Sequence, residues 1–222
     1  MEYKSEINKI KLLKKELRDV PVSYVIEGST QKKVLEFNEN DIENKKILNE
    51  LKLISTKIIN EYKQKYITRE IYNQELNKKT NAFRNNEVGD YCEYIIVKVF
   101  KDNKKEFLEI KDIIKLSSKG YPDLKIITTK KTIFVEVKAT SKPDIGSPRD
   151  FYYTAGANSD KKINIDAHHL LIGFITKEEE KNKFHIIGYK IVDVSKIKVS
   201  LKPEFNTDNK GIYNKETVIY KE

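Results

Sequence analysis

Apolar residues recur along this chain with two different spacings, and the elements follow from where each holds. Through the first hundred residues the spacing is mostly three and four, as on one face of a helix. Ile7, Ile10, Leu13 and Leu17 mark a helix over 6–18, which Pro21 ends. Residues 22–39 break this rhythm and fit short strands at 23–26 and near 33–37. Asn40 and Glu43 have the spacing of a capping box. A long helix to about residue 66 follows, with Ile47, Leu51, Ile54, Ile58 and Tyr62 on one seam. Another helical piece, over 68–78, carries Ile71, Tyr72 and Leu76. The seam is short for a coiled coil, so ordinary packing on the same domain is the leading reading. A dimer interface or a clamp on a binding partner is the functional alternative. A further helix over 86–100 has Val88, Cys92, Ile95, Ile96, Val99 and Phe100 on its apolar face.

Beyond that helix the pattern changes. Residues 106–120 carry Phe107, Ile110, Ile113 and Ile114 and fit either a helix or a strand. Residues 124–129 and 132–140 then read as the two arms of a hairpin, turned at Lys130-Lys131. Pro122 cannot donate to a ladder and suits the mouth of the first arm, which places Asp123 there. Side chains alternate along a strand. Glu136 and Lys138 therefore share one face of the second arm, and Val135, Val137 and Ala139 share the other. The run 170–175 reads as a buried central strand, 178–183 as a charged turn, and 184–191 as the next strand. Weaker strand patterns lie at 197–201 and 217–220.

The hairpin collects two carboxylates and an ammonium on one face and a core on the other. That combination suits a metal-dependent hydrolase. Two carboxylates hold a hard divalent cation such as Mg²⁺, which takes a phosphate oxygen and lowers the pKa of a bound water. Lys138 would orient the attacking water and offset developing negative charge.

The order Pro122-Asp123, twelve residues, then Glu136-Val137-Lys138 resembles the PD-(D/E)xK nuclease superfamily. The resemblance implies an α/β, restriction-endonuclease-like fold with a mixed β-sheet core flanked by helices. It implies that Asp123 and Glu136 bind metal with help from the Val137 backbone carbonyl. It also implies a further acid from the preceding helix, where Glu93 fits best and Glu87 and Asp90 are nearby substitutes. On this reading residues 86–222 are the nuclease core and 1–85 a helical N-terminal region. A second spelling of the motif, Pro143-Asp144 with Asp160-Lys161, is interrupted by Gly146, Pro148 and Gly156 and has no strands to carry it.

The stretch after the hairpin is rich in DNA-contacting types: Lys142, Ser147, Arg149, Tyr152, Tyr153, Asn158, Lys161 and Lys162. The chain has only four arginines, Arg18, Arg69, Arg84 and Arg149, against a large lysine excess. An arginine here suggests that a planar fork is wanted, for a guanine edge or a phosphate. Lys119, beside Asp123, and His168, of the adjacent His168-His169 pair, extend this set of candidate DNA contacts, with His169 structural. Small type II restriction endonucleases are similar in running such a segment across the substrate after the motif.

Composition adds two limits. Net charge is +9 over 222 residues, which suits a polyanion, although a general lysine bias accounts for much of it. Cys92 is the single cysteine, which excludes an intramolecular disulfide and a thiolate zinc cluster. No apolar run approaches the ~18 residues of a membrane span. The expectation is a cytoplasmic, Mg²⁺-dependent type II restriction enzyme acting on double-stranded DNA as a homodimer, matching the two-fold symmetry of a palindromic site. A repair or junction-resolving nuclease and a non-catalytic DNA-binding protein are the alternatives.

Overall fold

The computed structural model describes residues 18–81, 83–116, 120–141, 159–200, 216 and 220. Residues 21–197 form the main unit, and the described residues of 1–20 and 198–222 belong to a second, smaller one. The short strand Lys198–Val199 of that smaller unit falls inside the 197–201 pattern. The helix expected over 6–18 and the strand over 217–220 lie almost wholly outside the described residues.

The main unit opens with helix α1 (Val22–Thr30) and strand β1 (Val34–Leu35). Helix α2 (Ile42–Tyr62), strand β2 (Ile67–Thr68) and helices α3 (Arg69–Leu76) and α4 (Asn85–Asp102) follow. Strands β3 (Ile110–Lys115), β4 (Leu124–Thr128) and β5 (Thr132–Thr140) come next. A single helical turn, α5 (Ser159–Lys162), leads to the long strands β6 (Ala167–Glu180) and β7 (Lys183–Asp193). The strand order is β2-β7-β6-β5-β4-β3, and β1 pairs in parallel with the start of β6. β5 and β6 are parallel and their outer neighbours antiparallel, so the sheet is mixed. With its helices, this is the restriction-endonuclease-like α/β fold.

Alternation explains which face of β5 does what. Ile133, Val135 and Val137 join the hydrophobic core, where they meet residues of α2 and α4. Ile54, Ile58, Ile95 and Ile96 from those helices are at most 1% exposed. Each such side chain contributes roughly 1.5–3 kcal/mol by burial. Leu51, Ile54, Ile58 and Tyr62 are all buried in this core, so the α2 seam serves packing within the domain and is not a free interface. Phe134 is on the other face, where His169 packs against it and Tyr121 stacks on His169.

Several local expectations need correction. Residues 23–26 are helical, not extended: Val22 and Ile26, one turn apart, both face inward, and that burial outweighs the β-branched composition. The α2 cap is Asp41, whose carboxylate accepts from Asn44 N–H at 2.9 Å; Asn40 sits one residue too early for the capping box. The same helix stops at Tyr62 because Ile67 and Thr68 leave to pair with β7. The undecided 106–120 stretch contains a strand, paired antiparallel with β4. The charged turn at 178–183 is much shorter than expected. β6 runs on through Glu180, and Asn182, at φ 65°, makes the reversal. Its charges stand on exposed strand ends as the ion pairs Lys177–Glu179 and Lys183–Glu180.

Candidate active site

The site forms where β4 starts and β5 continues past it. The ladder between them closes at Leu124 opposite Val135, which puts Asp123 beside Glu136. Asp123 is held from both sides by its backbone. Its N–H donates to Val135 O at 3.1 Å, and its carbonyl accepts from Leu116 N–H at 2.8 Å. Its carboxylate Oδ2 then accepts from the Val137 N–H at 2.8 Å. A strand residue points its N–H and C=O to the same edge, so the Val137 carbonyl is directed to this edge as well.

Glu136 is almost fully enclosed, with a side chain 4% exposed. Its Oε1 lies 2.5 Å from the Lys138 ammonium, while its Oε2 is buried without a hydrogen-bond partner. Burial, with the Asp123 charge beside it, pushes the Glu136 carboxyl up to about 8. Burial works against the Lys138 ammonium, but Glu136 and Asp123 more than offset it, and Lys138 is held above the usual lysine range. A crowded carboxylate pair with an orphaned oxygen is a set of hard oxygen donors short of a cation.

A further carboxylate near Asp123 comes from α4. At Gly89 that helix passes so close to β5 that an added Cβ would lie 3.7 Å from the Ala139 nitrogen. One turn later Glu93 reaches the strand mouth. Burial and the nearby Asp123 raise its carboxyl to about 7, while Lys115 pairs with it at 2.8 Å. The other two candidates are occupied elsewhere. Glu87 accepts from the Arg84 N–H at 2.8 Å and caps its own helix. Asp90 accepts from Tyr72 at 2.7 Å and pairs with Lys78 and Lys115. Burial opposes its charge, yet these donors hold the Asp90 carboxyl down at about 2.

Residues 15–216 match the model of the type II restriction enzyme MjaV family. The chain belongs to that family. It is similar to the type II restriction enzyme MjaV of Methanocaldococcus jannaschii, at 28% identity over 196 residues, covering 85% of this chain and 82% of that protein. No solved structure matches it. A type II restriction enzyme is a site-specific deoxyribonuclease of a restriction–modification system, so DNA is the partner of this MjaV-family chain.

In this family member the remaining sequence candidates fall in three places. Lys119, Lys142, Ser147, Arg149, Tyr152, Tyr153 and Asn158 lie outside the described residues. Lys161 is exposed on α5. Lys162 beside it turns inward: its ammonium donates to the carbonyls of Gly120 and Pro122, the latter at 2.8 Å. His168 lines a groove at the turn end of the hairpin with Leu35, Thr129 and Lys131, its Nδ1 3.2 Å from Leu35 O. His169 is wholly buried, with Nδ1 2.6 Å from the Tyr121 hydroxyl, and burial lowers its pKa to about 3. Among the described residues no three His, Cys, Asp or Glu side chains stand as a ready-made metal cluster. No described helix is long and apolar enough to cross a membrane.

Sequence reasoning missed Lys115, and it named Lys162 only as a DNA contact, not as a donor to the Gly120 and Pro122 carbonyls. Lys115 carried one usable signal. If 110–115 is a strand antiparallel to β4, its last residue stands opposite Leu124, next to Asp123.

Proposed function

We propose that this chain cleaves both strands of a specific duplex sequence in the cytoplasm. Mg²⁺ would be held by the Asp123 and Glu136 carboxylates and the Val137 carbonyl. The observation that carries this reading is the pairing of Asp123 Oδ2 on Val137 N–H with the orphaned Glu136 Oε2 beside it. When bound, the cation would neutralise charge on the scissile phosphate and supply a water more easily deprotonated.

The protein's own groups do the rest. Asp123 and Glu136 would fix the reacting phosphate at the hairpin mouth by holding its counter-charge. Lys138, kept protonated by its acidic neighbours, would orient the attacking water and offset negative charge as the phosphorus becomes crowded. Glu93, steadied by Lys115, would complete the acidic rim. Residues 142–161 would run along the duplex, with Arg149 and Asn158 reading base edges and Lys142 and Lys161 gripping phosphate. A homodimer would present one such site to each strand of a palindrome.

Plasmid digestion tests this. Discrete bands with Mg²⁺, and intact plasmid in EDTA, are expected. A smear, structure-selective nicking, or a mobility shift without cleavage would each contradict it.

A further inference from the structure

Asp123 is tied to Val135, Leu116 and Val137, and the turn that precedes it decides how firmly the chain enters that corner. The β4 ladder begins at Leu124, so the carbonyls of Gly120 and Pro122 lie ahead of it. Gly120 has φ 90°, a conformation that favours glycine and gives the turn little stiffness of its own. One anchor is Tyr121, buried, with its hydroxyl 2.6 Å from His169 Nδ1. The other is Lys162, whose ammonium bonds to the carbonyls on both sides of Tyr121. Lys162 arrives from about forty residues later in the chain, with Ile163, 1% exposed, fixing the backbone behind it.

We propose that Lys162 is a positioning residue for the nuclease reaction: by bonding to the Gly120 and Pro122 carbonyls it fixes the turn that aims Asp123 at the cation site. This rests on Asp123 being a cation ligand. An ammonium has three donors on a flexible stem, and two suffice to hold both carbonyls. The positioning role opposes the effect of Lys162's charge. A positive group near Asp123, Glu136 and Glu93 repels a divalent cation, so charge alone makes Lys162 weaken cation binding. Positioning makes it strengthen cation binding, and the sign of the effect separates the two.

The test is calorimetric titration of Mn²⁺ into the full chain without DNA, for wild type, Lys162→Met, Lys162→Gln and Asp123→Ala. Single-turnover cleavage of a plasmid that the wild type cuts to discrete bands is measured alongside. Lys162→Met should weaken Mn²⁺ binding and slow cleavage about tenfold or more, the usual cost of losing a group that orients a metal ligand. Lys162→Gln, neutral but still a donor, should retain most of both. Unchanged or tighter Mn²⁺ binding in Lys162→Met overturns the proposal. If Lys162→Met does not fold, tighter binding in Lys162→Gln overturns it instead. A uniform loss of DNA affinity with a shallower salt slope also overturns it, in favour of a phosphate contact. Wild-type Mn²⁺ binding in Asp123→Ala would remove the underlying site reading. Loss there with normal binding in Lys162→Met removes only the role of Lys162.

Discussion

Asp123 and Val137 are joined across the hairpin mouth by a 2.8 Å bond from the Val137 N–H to the Asp123 carboxylate. That bond sets the direction of the acid on the first strand by the backbone of the second. The two ends of the sequence motif therefore behave as one rigid object. Glu136, the residue between the ladder's end and Val137, is carried into the same corner.

Lys138 should matter for turnover and little for folding. Its side chain is 36% exposed, and the Glu136 carboxyl that Lys138→Ala leaves behind, already raised to about 8, takes up a proton in place of the ion pair. Cleavage should fall by about a hundredfold or more, as when a charge-stabilising donor is removed, with the melting temperature nearly unchanged. A pH–rate limb that disappears with Lys138 would contradict this account, because its neighbours hold the ammonium charged above neutral pH.

Cation affinity should rise with pH. The Glu93 and Glu136 carboxyls are raised to about 7 and about 8, and both must be ionised for the rim to be fully charged. The Mg²⁺ concentration giving half-maximal cleavage should fall steadily from about pH 6 and level off near pH 9, since cation binding displaces protons. A half-saturation point independent of pH would show that these acids do not face the cation.

The same burial costs stability in the cation-free enzyme. Glu136 has a folded pKa near 8 against an ordinary value of 4.5. Its contribution is fully present below the ordinary value and is lost as pH rises through about 8, because the unfolded chain ionises first. Glu136→Gln keeps the volume and removes the ionisation. In EDTA at pH 8 it should melt at least ~2 °C above wild type, and the gain should vanish near pH 5. Added Mg²⁺ should stabilise wild type and not the variant. A variant less stable than wild type at pH 8 in EDTA would contradict the strain assigned to this carboxyl.

The hairpin was legible because apolar and charged positions alternate from Val135 to Lys138. Ile133, Val135 and Val137 point one way, Glu136 and Lys138 the other, and the core is on the expected side. Glu93 was legible as a candidate from its place on the α4 face. Glu93 already fitted better than Asp90 there; that Tyr72 and Lys78 occupy Asp90 had no sign in the sequence, because both come from outside that helix. α1 was misread because local preference favoured a strand and only the buried pair Val22 and Ile26 decides for a helix. Lys162 reads as a DNA contact in the sequence, where a lysine among many gives no local sign that it bonds to carbonyls some forty residues earlier. Such a contact exists only once the chain has folded.

Asp123→Ala tests the central claim most directly. Cleavage of the plasmid and mobility shift of a cleaved-site duplex in Ca²⁺ are measured on the same preparation. The account predicts that cleavage falls by at least ~100-fold while the shift is retained, since the acid acts in chemistry through the cation. Full cleavage by Asp123→Ala would contradict the assignment of this corner as the active site.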